Sequence, residues 1–167
     1  MDAADIRLLY EYNYWATHKI LAATERVSPE QFVAPSPHSF GSLRGTLVHL
    51  VGGERGWRTL WQRNSLEAFG ALKAERYPTF EPLKSEFEAE ERAMREYVAG
   101  LADPAVDGLV RYTTPEGVTR ERVLWHCLVH VVNHGTHHRS EAATILKGFG
   151  QPPGALDFTA FLNQVSR

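Results

Sequence analysis

Apolar residues recur at helical intervals in four long stretches of the chain, and polar residues fill the positions between them. The first stretch runs from Asp2 to about Val27, with Ile6, Leu9, Tyr10, Asn13, Tyr14, Ile20 and Leu21 at helix-compatible spacing; Ser28-Pro29 ends it or starts a short turn. Ala34 to Ser42 is rich in Pro, Ser and Gly and reads as a loop, with Ser42 placed to cap a second helix running to Arg63. The apolar stripe of that helix is Leu43, Leu47, Leu50, Val51, Trp57 and Trp61. A loop holding Gly70 and Pro78 follows. Glu81-Pro82 then opens a charge-rich third helix that ends at Gly100 and Pro104. Its acidic run is expected to be a solvated face with one-turn pairs such as Glu88-Arg92 and Glu91-Arg95.

Asp107 to Arg120 breaks this period. β-branched and alternating residues around Pro115-Glu116-Gly117 predict a hairpin-like strand pair. A fourth long helix is expected from Glu121 to Lys147, stopping at Gly148, and a short amphipathic helix from Leu156 to Val165 closes the chain. The expected fold class is therefore all-α: a four-helix bundle with one short extended or hairpin connection before the fourth long helix and a short C-terminal helix, as a single domain over 1–167.

Composition narrows the functional classes. At 167 residues the chain can bury a full core without metal or disulfide staples. The net charge of −2 gives no basic surplus for phosphate, so nucleic acid is not an expected partner. No apolar run reaches membrane-spanning length, so no membrane partner is expected either. The single cysteine, Cys127, leaves no internal disulfide, and the chain opens with acids and aromatics rather than a signal peptide; the cytoplasm is the expected compartment. Cys127 has no motif around it and reads as a buried, unreactive thiol. Trp15, Trp57, Trp61 and Trp125 stand beside leucines and read mostly as core.

The chemistry concentrates on the fourth helix. Five of eight histidines, His126, His130, His134, His137 and His138, fall in a short stretch there. At about 100° per residue all five share one side, but only His134 and His138 reach the apolar stripe of Leu124, Cys127, Leu128, Val131, Ala142, Ile145 and Leu146. Residues one turn apart can converge on one ion. His126/His130 and His130/His134 have the same spacing, so burial alone favours His134/His138. The glutamate of the helical metalloprotease motif is missing, since residue 135 is glycine. A third ligand must come from elsewhere: His18, His38 and His49 are available. His49 lies at the margin of its helix's stripe, among Gly45, Gly52 and Gly53, each costing about 0.5–1 kcal/mol inside a helix and so needing a compensating reason. The competing reading is a histidine-rich face without metal.

These segments resemble the DinB family, also grouped as the DinB/YfiT-like superfamily of proposed metalloenzymes. His130 to Leu146 is similar to its late-helix signature, with Asn133-His134 and His138-Arg139 as the matching pairs. Ser42 to Trp57 resembles the helix-two signature, Tyr12 to Leu21 the first helix, and the PPGALDF segment also fits. The resemblance implies metal ligands at His49, His134 and His138 around one divalent ion, zinc or nickel by the chemistry of imidazole, and a homodimer. It also implies a small-molecule substrate or a low-molecular-weight thiol such as bacillithiol or mycothiol, with thiol S-transfer to an electrophile as the expected reaction. Metal-assisted hydrolysis, or a non-catalytic metal-binding stress module, are the alternatives. Glu141, Asn133, Glu54 and His130 are the candidate residues around the ligands: Glu141 and Glu54 as carboxylates behind a ligand ring or at the surface, Asn133 with Arg139 in orienting or capping, and His130 as an alternative donor. The sequence identifies no catalytic base.

Overall fold

The computed structural model describes residues 1–114 and 116–165. The elements in chain order are α1 (Ala3–Thr24), α2 (Pro29–Val33), α3 (Leu43–Arg63), α4 (Phe80–Ala99), α5 (Asp103–Val106), β1 (Leu109–Thr113), β2 (Thr119–Val123), α6 (Leu124–Gly148) and α7 (Phe158–Val165), with a 3-10 turn at Ala74–Arg76. The fold is all-α apart from one antiparallel strand pair, in which Leu109 faces Val123 and Thr113 faces Thr119. Among the described residues no helix is long and apolar enough to cross a membrane.

Helix ends follow the local chemistry. Asp2 and Asp5 form a reciprocal capping box on α1, and Ser28 with Gln31 does the same for α2. Ser42 caps α3 by accepting from the Gly45 N–H at 3.0 Å, as its sequence position predicts. The fourth long helix starts three residues later than the sequence pattern predicts, because Glu121, Arg122 and Val123 pair with β1 instead. The strand pair begins where the alternation placed it but runs on to Val123; Pro115 of the expected turn lies outside the described residues.

The four long helices pack in a ring, α1 and α3 each against both α4 and α6. Two apolar clusters fill the space between them. Ile20, Leu43, Leu47, Val51, Leu83, Phe87, Ala142 and Leu146 form one; Ile6, Tyr10, Met94, Val98, Leu128, Val131 and Phe161 form the other. All four tryptophans are half-buried against the second cluster.

A buried polar belt lies between the clusters: Asn13, Thr17, Glu54, Glu90 and Arg139. Arg139, only 1% exposed, donates to Asn13 Oδ1 and, at 3.3 Å, to Thr17 Oγ1. Asn13 Nδ2 donates in turn to Glu54 at 3.2 Å, and Tyr14 donates its hydroxyl to the other Glu54 oxygen. This ties α6, α1 and α3 together through directional bonds. It also corrects two expectations. Glu54 is neither at the surface nor hydrogen-bonded to a histidine; it belongs to this belt. The acidic α4 is not wholly solvated: Glu90 points inward, where Arg58 grips both its oxygens at 2.6 and 2.7 Å. Glu91–Arg95 is present at 2.8 Å, but Glu88–Arg92 is not among the ion pairs of the described residues.

Gly135 is where α6 makes room for the belt. A Cβ there would sit 2.6 Å from Arg139 Nη1 and 2.8 Å from Asn13 Oδ1, the two atoms of a buried hydrogen bond. Gly135→Ala is therefore expected to destabilise by about 1–3 kcal/mol. Gly148→Ala, at a position with nothing within 4 Å, should instead gain about 0.5 kcal/mol from backbone entropy. Thermal unfolding of both variants checks the opposite signs; stabilisation by Gly135→Ala would show that the belt does not set the helix spacing.

Candidate metal centre

His134 and His138 stand one turn apart on α6 and face α3; Gly135 and Arg139, the next residue in each case, face α1. One helix thus presents imidazoles to one neighbour and the buried guanidinium to another. His49 comes from the middle of α3. One nitrogen from each of His49, His134 and His138 lies within 4.8 Å of the others. His49 Nε2 and His134 Nε2 are 2.9 Å apart, and the His49 and His138 rings meet edge to face at 4.5 Å between centroids.

The glycines of α3 have their explanation here. Gly53 lies under His134: a Cβ there would come within 3.0 Å of Cε1. Gly45 admits the backbone carbonyl of Phe40, which would fall 2.0 Å from its Cβ. That close approach brings the loop before α3 down so that Phe40 stacks on His49 at 3.9 Å and 16°. Gly56 admits the Phe69 ring in the same way. Gly52 is buried yet has nothing within 4 Å. It lies on the floor of a cavity of about 360 Å³, lined also by Phe40, Val48, His49, Gly53, Phe69 and Leu72, with Lys73 and Glu75 contributing charge.

Glu141 is the orienting carboxylate. Its Oε2 lies 2.8 Å from His138 Nδ1, and its Oε1 accepts from Ser39 at 2.7 Å. Burial pushes its acidity the other way, but these two bonds hold its pKa below the usual value. A carboxylate only accepts, so Nδ1 of His138 carries the proton and Nε2 keeps its lone pair. The remaining candidates fall outside the cluster. Asn133 is exposed and joins no hydrogen bond among the described residues. His130 is exposed and packs edge-on against Trp57 at 5.3 Å. His126 and His137 are also exposed; the geometry brings His134 and His138 together with His49, while His137 forms a second possible group with His138 and Glu141. Phe40 and Ser39 had no signal in the sequence, because a loop carries no period to point a side chain.

Burial, reinforced by the neighbouring His138, depresses His49 to about 4 and His134 to about 3. Both rings are therefore neutral near pH 7, the form that ligates a cation. Neutral donors, a shared focus and one anchored ring fit a divalent ion.

The chain belongs to the DinB family, whose family model matches residues 1–165. Over 164 residues it is 26% identical to Protein DinB of Bacillus subtilis (strain 168), covering 92% of this chain and 91% of that protein.

The depressed histidines also set a pH dependence. Their ordinary value is 6.5, so between that and about 3 to 4 the unfolded chain binds more protons than the folded one. Stability of the metal-free protein should rise with pH across that window and gain nothing further from these groups above it. Urea unfolding from acid to neutral pH measures the slope, and His134→Gln should flatten it; an unchanged slope would separate the ring from the effect.

Proposed function

We propose that the protein holds one divalent ion, zinc or nickel, through His49, His134 and His138, and catalyses thiol-dependent S-transfer to an electrophile bound in the adjoining cavity. The observation that carries the reading is the convergence of three imidazole nitrogens from two helices beside an open, mostly apolar cavity. Family membership supports it.

When bound, a divalent ion supplies Lewis acidity that lowers the pKa of a coordinated thiol or water. The protein's own groups do the rest. Glu141 fixes the His138 ring, Phe40 covers the His49 ring, and Gly53 lets His134 approach α3. Gly52 leaves the cavity floor open. The sulfur of the thiol would bond to the electrophilic carbon, and the displaced group would leave with the thiol's proton. Each Glu141 oxygen accepts one hydrogen bond, from Ser39 and from His138, which suits this carboxylate to holding the His138 ring in place.

Protein purified without a metal-affinity step should contain about one equivalent of metal, with most of it lost in both His134→Ala and His138→Ala. Consumption of a model electrophile, 1-chloro-2,4-dinitrobenzene, should require added thiol; Gly52→Leu should keep the metal and lose the turnover. Near-stoichiometric metal in both histidine variants would move the site elsewhere, and equal rates with and without thiol would reject the transferase.

A further inference from the structure

Three histidines of α6, His126, His130 and His137, stand outside the cluster above. His126 and His130 precede His134 at one-turn intervals and line a separate cleft of about 340 Å³ with Trp57, Tyr112, Arg122 and Cys127. Arg122, His126 and His130 all line it, and the lining contains no carboxylate. Two other clefts pair their cations with acids, Lys73 with Glu75, and His18 and Lys84 with Glu25, Glu88 and Glu91, and the cleft at Lys147 has no aromatic wall.

The acid next to Arg122 in sequence is already paired. Glu121, beside Arg122 on β2, accepts from Arg111 at 2.7 and 3.1 Å. The Arg122 guanidinium makes one hydrogen bond among the described residues, at 2.9 Å to the Glu121 backbone carbonyl. His126 and His130 join no hydrogen bond or ion pair there; their neighbours are the aromatic rings of Trp125 at 4.0 Å and Trp57 at 5.3 Å. The cleft also sits at the N-terminal end of the 25-residue α6, whose first turn has no side-chain cap, so the positive end of the helix dipole adds to the same field. Trp57 and Tyr112, edge to face at 6.0 Å, supply an aromatic wall.

We propose that this cleft binds a small aromatic anion: the acid group, a carboxylate or phosphate ester, held by Arg122 with His126 and His130, and the flat apolar body laid against Trp57 and Tyr112. A planar guanidinium suits a two-oxygen acid group, and indole and phenol faces suit a ring. Cys127 is buried at the back of the cleft and forms wall, not chemistry. The proposal does not rest on the metal reading, although the two regions adjoin: Trp57 meets Phe69 of the metal-side cavity at 5.7 Å, and the His130 and His134 rings lie 6.0 Å apart.

The test titrates the full-length protein with phenyl phosphate, benzoate, inorganic phosphate and benzyl alcohol, followed by calorimetry and tryptophan fluorescence. Saturable binding of the aromatic anions is expected, with inorganic phosphate and the neutral alcohol weaker by roughly tenfold or more. Binding by one aromatic anion alone supports the site and names its acid group. Arg122→Gln should weaken binding by roughly tenfold, Arg122→Lys should restore part of it, and the His126→Gln/His130→Gln pair should also weaken it. Arg122 is exposed on β2, and an unchanged unfolding midpoint will confirm that its variants fold. His49→Ala should bind as the wild type does. Three results overturn the proposal: no saturation by either aromatic anion, affinity unmoved by Arg122→Gln, or binding abolished by His49→Ala, which would place the anion on the metal.

Discussion

The rotation of α6 about its own axis is the constraint on which the rest of the structure depends. That helix is gripped on one side by the Arg139–Asn13–Glu54 chain of hydrogen bonds, which reaches through α1 to α3. A buried guanidinium is expensive to leave unpaired, so the register of α6 cannot slip without losing these bonds. Because Arg139 follows His138 directly, fixing one toward α1 aims the other toward α3, about 100° away around the helix. Apolar contacts alone would tolerate more sliding, since they are not directional.

The same belt holds an acid in an unusual state. Burial raises Glu54 to about 7, with Glu90 adding to the rise, while the Tyr14 and Asn13 hydrogen bonds oppose it. Burial likewise lowers Arg139. Desolvation works on both sides of α6: it keeps His134, and His49 facing it, neutral on the α3 side and weakens the charges of the belt on the α1 side. A site for a cation is thereby built from uncharged donors at the edge of the core, where a cavity keeps one flank open.

Much of this was legible in the sequence, and for identifiable reasons. The 3.6-residue period gave four long helices, and Ser42 marked the start of α3 correctly because a cap is a local event. The pair His134/His138 followed from spacing and from the edge of the apolar stripe. His49 was harder: a helical wheel placed it at a margin, and the structure shows why, since the site lies where the core gives way to a cavity. The resemblance, not the wheel, singled it out. The three glycines around it call for a compensating reason in the sequence, and the structure supplies one for each: Gly53 makes room for His134, Gly45 for the Phe40 carbonyl, and Gly52 borders the cavity. Tertiary partners of this kind leave no local pattern. Glu54 and Glu90 were misplaced for the same reason: a charged residue reads as solvated unless its partner, on another helix, is known. Glu121 to Val123 were assigned to a helix because strand pairing with β1 overrode a short stretch's own preference.

The proposed metal chemistry rests on three imidazole nitrogens sharing one ion. X-ray absorption at the metal edge of protein loaded with a single equivalent tests that most directly. Three nitrogen donors, with the outer-shell scattering that imidazole rings produce, are predicted, falling to two in His49→Ala. A first shell of oxygen or sulfur, or a spectrum unaltered by His49→Ala, would contradict it.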